Sequence, residues 1–115
     1  MSEIVTPDQI AAELRALVAL VDEAPDQLKR AELRYQAALG AYQDAYDSGY
    51  KDAEGTIAER EIAGRAEARV VREIRDNEFA ELNRIKAKIR QIESAQSNLQ
   101  SQLRAVMVSY QNAGR

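Results

Sequence analysis

A chain of 115 residues has the size of one domain, and its lack of cysteine and histidine excludes a disulfide framework, a thiolate metal site, a thiol nucleophile and imidazole chemistry. Tryptophan is absent too, and a mixture dominated by Ala, Glu, Arg, Gln and Leu favours long helices over sheets. The net charge of -3 is unevenly divided: Met1 to Gly55 holds 5 basic and 11 acidic residues, Thr56 to Arg115 holds 11 and 8, so the halves are suited to pair in a hairpin or between subunits.

The opening Met1-Ser2-Glu3-Ile4-Val5 has no basic n-region or apolar run of the signal-peptide kind, and no stretch approaches the roughly 20 apolar residues of a membrane span. A cytoplasmic protein with no membrane partner is expected. Thr6, Pro7 and Gln9 form a helix start, with a capping residue, a first-turn proline and a residue able to complete a capping box. Ile10, Leu14, Leu17, Val18 and Val21 then make one apolar face. Pro25 lacks a backbone donor and disfavours helical geometry at Ala24, which predicts a break or kink near Glu23 to Asp26 and a first helix over 6–23.

A second helix is expected over 26–47, where Leu28, Ala31, Tyr35, Ala38, Tyr42 and Ala45 alternate steps of three and four, with Leu39 and Tyr46 alongside. The small residues invite close approach of another helix. The tyrosines Tyr35, Tyr42 and Tyr46 read as interface residues, with a platform for stacked bases as the other reading. Ser48 to Gly55 reads as the hairpin loop (48–55), its two glycines able to adopt left-handed conformations.

Thr56-Ile57-Ala58-Glu59 is a second capping box, and one long helix is expected over 56–111, with Gly64 and Asp76-Asn77 only lowering its propensity. Its length, about 80 Å at 1.5 Å per residue, implies more cover than a compact monomer offers. A heptad places Leu82, Ile89, Gln96, Leu103 and Tyr110 at a, and Ile85, Ile92, Leu99 and Val106 at d. Upstream, Val71, Ile74, Glu78, Leu82 and Ile85 show a local eleven-residue spacing that predicts a relaxed supercoil around Phe79. The expected fold is therefore an all-α, elongated helical hairpin with one long C-terminal helix, a single domain over 1–115 that assembles as a coiled-coil-type homo-oligomer.

Candidate chemistry is sparse. Glu59, Glu61, Glu67, Glu73 and Glu81 interleave with Arg60, Arg65, Arg69 and Arg72 as on a solvated helix, and no phosphate loop, nucleophile elbow or Ca²⁺ loop is present. Neither catalysis, a cofactor, a metal nor a small-molecule substrate is expected. Arg84, Lys86, Lys88 and Arg90 stand together with no acid among them, and Arg104 follows; they are suited to an acidic partner helix or, on an assembled surface, to a phosphate backbone.

The segment Thr56-Ile57-Ala58-Glu59-Arg60-Glu61-Ile62-Ala63, followed by a charged helix with its seam through Leu82, Ile85, Ile89, Ile92, Leu99 and Leu103, resembles small helical proteins of tailed bacteriophages found among recombination genes. Tyr42 to Gly49 and Tyr50 are similar to the tyrosine-rich helix end and Ser-Gly turn of the UvsY-type recombination mediator. The resemblance implies an oligomer that binds single-stranded DNA and helps to load a recombinase or annealing protein. A different expectation is a protein-only adaptor, an inhibitor of a host protein or a virion assembly factor working through the same apolar seam.

Overall fold

The computed structural model describes residues 6–113, which form helices α1 (Pro7–Asp52), α2 (Ile57–Glu67) and α3 (Arg69–Ala113), with no strand among them. The all-α hairpin expected from the sequence is present, with a long C-terminal helix. The first capping box forms with both of its bonds and the second with one of them. The Thr6 N–H donates to Gln9 Oε1 (3.0 Å) and the Gln9 N–H to Thr6 Oγ1 (3.2 Å). At the second box Thr56 is extended (φ -71°, ψ 166°) and its Oγ1 accepts from the Glu59 N–H at 3.2 Å. These bonds satisfy amide donors that a helix start leaves without partners, two at the first box and one at the second.

The expected break at Pro25 does not occur: α1 runs through it for 46 residues, about 69 Å at 1.5 Å per residue, instead of dividing into 6–23 and 26–47. Pro25 lies on the exposed side of the helix, where water can take the hydrogen bond that the Val21 carbonyl loses, while Ala24 beside it is buried. Packing of the buried face thus outweighs the propensity of one residue.

The loop is also shorter than 48–55. Residues Ser48 to Asp52 are helical, leaving 53–56 to reverse the chain, with the left-handed backbone at Gly55 (φ 120°). The long helix over 56–111 is interrupted at Ala68, which is completely buried, and passes without a break through Asp76-Asn77. The interruption is slight, because the Ala68 N–H still donates to the Gly64 carbonyl (3.0 Å) and the Arg72 N–H to the Ala68 carbonyl (2.8 Å).

Two compact units are built from these helices: one joins α1 up to Asp26 with α3 from Lys86 onward, the other spans Gln27 to Ile85. In the Gln27–Ile85 unit, Arg34 meets Glu78, Tyr35 meets Phe79 and Tyr46 lies on Gly64, so the helices run antiparallel. Ala31 and Ala38 of α1 are buried, as are Gly64, Ala68, Leu82 and Ile85. On α2 and α3 the least exposed positions step by three and four through Glu61, Gly64, Ala68, Val71, Arg75, Glu78, Leu82 and Ile85. The heptad therefore extends upstream unrelaxed, with Arg75 in the seam where Ile74 was expected. Ile74 is half exposed, whereas the Arg75 guanidinium sits 4.3 Å above the Tyr42 ring, which lets a charged residue line the seam by stacking its head and burying its stem.

In the other unit Ile10 is buried almost fully (1% exposed) and Leu14, Leu17 and Val21 partly, with Ala24 closing the stripe. On α3 the matching stripe is Ile89, Ile92, Gln96, Leu99, Leu103 and Val106, all partly buried.

Candidate nucleic-acid interface

The seam residues expected at an oligomer interface face their own chain to a large degree. Leu82 and Ile85 are buried without a second copy; Tyr35, Tyr42, Tyr46, Ile89, Ile92, Gln96, Leu99, Leu103 and Val106 are partly buried, and Tyr110 is 57% exposed. The expectation that the helix over 56–111 needs a partner chain rests on its length. A 46-residue α1 supplies much of that cover itself.

Within the Gln27–Ile85 unit the two flanks of the seam differ in chemistry. One flank is ionic: Arg34 pairs with Glu78 (3.3 Å), and Arg84 grips Glu81 through Nε (2.9 Å) and Nη2 (2.6 Å). The hydrogen bond from Arg84 holds the Glu81 carboxyl below the usual carboxylate range, and the same bond raises Arg84. Arg84 is thus already engaged with a carboxylate of its own helix.

The other flank is aromatic. Tyr35 and Phe79 lie 5.3 Å apart, and Tyr42, Tyr46 and Tyr50 form a ladder at one ring per helical turn, with centroids 6.3 and 6.4 Å apart. Gly64 makes this ladder possible: a Cβ there would lie 2.9 Å from the Tyr46 carbonyl oxygen and 3.0 Å from its ring. Arg65, Arg69 and Arg72 follow one another at steps of four and three, and Phe79 lies seven residues after Arg72, so all four share one side of the helix. The burial pattern keeps its phase across Ala68, which carries that alignment from α2 into α3. Sequence reasoning placed these arginines on a solvated helix; their three-four spacing in line with Phe79 was the signal that joined them to the tyrosines.

Lys86, Lys88, Arg90 and Arg104 belong to the unit formed by the helix ends and are exposed. None enters an ion pair among the described residues. Lys86 and Arg90, one turn apart, share a side of α3, whereas Lys88 lies two residues from each and projects from another. Arg90 also borders a shallow groove with Ala87, Gln91, Ser94, Ala95 and Asn98, all on α3.

Among the described residues, no group of acidic side chains is arranged to hold a metal ion, no side-chain polar atom is buried without a partner, and no helix is long and apolar enough to cross a membrane. Compared with known proteins, the chain matches no family model, no curated protein and no solved structure.

Proposed function

We propose that this chain is a non-catalytic, self-associating helical protein that serves DNA recombination as a phage-type accessory factor, binding single-stranded DNA, a recombinase or annealing protein, or both. The observation that carries this reading is the set of exposed cations Lys86, Lys88, Arg90 and Arg104, which make no ion pair among the described residues and have Glu93 as the one acid between Lys86 and Arg104. Cations in that state release counterions from a phosphate backbone when they bind it. Self-association is supported by the partly open stripe Ile89 to Val106 and by the exposed Met107, Val108 and Tyr110 beyond it.

Titration of a labelled oligonucleotide at two salt concentrations tests the reading. Affinity should fall as salt rises, with a slope of about -0.7 per phosphate contacted for a single strand. No binding at low salt would remove the direct DNA role. The second reading, a protein-only adaptor, an inhibitor of a host protein or a virion assembly factor, is favoured by the exposure of Leu33 (59%) and Val70 (68%), apolar side chains outside the seam. Recovery of one stoichiometric protein partner without nucleic acid would select it.

A further inference from the structure

We infer that single-stranded nucleic acid is held on the aromatic flank of the Gln27–Ile85 unit, by the Tyr46–Tyr50 ladder and Phe79 together with Arg69 and Arg72. The inference rests on the nucleic-acid reading above and adds to its cations a surface on which bases can stack. Five of the six aromatic residues of the chain, all except Tyr110, lie in this unit as the Tyr35–Phe79 pair and the Tyr42–Tyr46–Tyr50 ladder, and the seven-residue step from Tyr35 to Tyr42 sets the two on one side of α1. Phe79 is 49% exposed, and Tyr46 and Tyr50 are partly exposed, so the rings hold the hairpin together while leaving surface toward solvent.

The charges of this flank are sorted. Glu61 is engaged by Arg65 (3.6 Å) and Asp76 by Arg75 (3.1 Å), while Asp47 accepts from Gln43 Nε2 (2.8 Å). Arg69 and Arg72 are exposed and enter no ion pair among the described residues. Along α1 the same flank runs from Glu32 through Gln36, Leu39, Gln43, Tyr46 and Tyr50, with Asp47, bonded to Gln43, beside it. Two available guanidinium groups beside a row of rings are what a flexible strand recognises: phosphates meet the cations and unpaired bases lie on the rings, with little regard to sequence. A duplex, whose bases are already stacked, gains only the phosphate contacts. The opposite flank, with Arg34 and Arg84 committed to Glu78 and Glu81, has no row of rings beside its cations.

The test uses the full chain and a fluorescent oligothymidylate of about 16 nucleotides, read by anisotropy across a salt series. R69Q/R72Q should weaken binding and reduce the magnitude of the salt slope by about 1.4, two phosphates at roughly 0.7 each. Tyr50→Leu, which removes the aromatic face but keeps apolar bulk, should weaken binding about tenfold with little change in slope. K86Q/R90Q/R104Q removes phosphate contacts of the proposed function and should lower the salt slope without touching the stacking contribution, whereas Arg34→Gln on the opposite flank should bind as the parent does. Circular dichroism on every variant excludes unfolding as the cause of any loss.

Binding lost in K86Q/R90Q/R104Q and kept in R69Q/R72Q would overturn this site and leave the DNA reading standing. Equal affinity for duplex and single strand, or equal competition by polyglutamate of matched charge, would overturn the stacking role. Absence of binding by the parent chain at low salt would overturn the nucleic-acid reading itself.

Discussion

At the scale of single residues, two glycines in α1 show why propensity alone does not set the effect of a substitution. Gly40 has open space around the position of a Cβ, so Gly40→Ala should raise stability by about 1 kcal/mol, the helix-propensity difference. Gly49 should respond in the opposite direction. A Cβ there would lie 2.6 Å from Glu67 Cβ, 2.7 Å from the Ala63 carbonyl oxygen and 3.0 Å from Gly64 Cα, so backbone must move. Overpacking of this kind costs typically 1–3 kcal/mol, and Gly49→Ala should be destabilising even after its propensity gain. Urea unfolding of both variants measures the difference; a stabilising Gly49→Ala would mean that the helices do not approach this closely. The Glu81–Arg84 pair makes a further prediction at this scale. Because the folded carboxyl of Glu81 is depressed, its contribution is present above the ordinary glutamate range and is lost as pH falls through the folded value. Glu81→Gln should therefore flatten the acid limb of the stability profile and leave high pH unchanged in shape.

At the scale of helices, Pro25 is the informative case. An interior proline removes a hydrogen bond and crowds the preceding turn, at a cost near 3 kcal/mol in an otherwise continuous helix. Here α1 continues past it, so that cost is borne by the packing of Val21 and Ala24. Pro25→Ala should raise the urea midpoint, by an amount equivalent to about 1–3 kcal/mol, without increasing helical content by circular dichroism. A large rise in helicity would instead indicate that the helix is broken in solution. The contrast defines what was legible in the chain. The two capping boxes could be read because their donors and acceptors lie within three residues of one another, and the three-four stripes could be read because periodicity is local. The fate of Pro25, the helical state of Ser48 to Asp52 and the interruption at Ala68 could not, since each depends on which helix packs opposite. The aromatic flank was half legible: Tyr35, Tyr42 and Tyr46 were singled out, but the line of Arg69 and Arg72 with Phe79 gains meaning once α1 is known to lie beside it.

At the scale of the whole molecule, buried surface is distributed unequally between the two units. The Gln27–Ile85 unit contains Ala31, Ala38, Gly64, Ala68, Leu82 and Ile85 as buried positions, and its flanks are tied by the Arg34–Glu78 pair and the Tyr35–Phe79 contact. The unit of the helix ends buries Ile10 and Ala24 and has only partly covered residues on α3 from Ile89 to Val106, with Gln96 in the middle of the stripe. Local opening requires less free energy where fewer apolar contacts must be given up. Native-state amide exchange should therefore show α3 opening from its C-terminal part: amides of 89–106 exchange through sub-global opening, while those of 75–85 approach the global unfolding free energy. Leu82→Ala should cost about 2–5 kcal/mol and lower protection in both units if they unfold together, but only in its own unit if they do not. Self-association changes the expectation in a measurable way. If a second copy covers the stripe from Ile89 to Val106, protection of those amides rises with protein concentration while that of 75–85 does not, because mass action stabilises only the segment that the association buries. Protection of 89–106 equal to that of 75–85 at every dilution would show instead that one chain closes both units by itself.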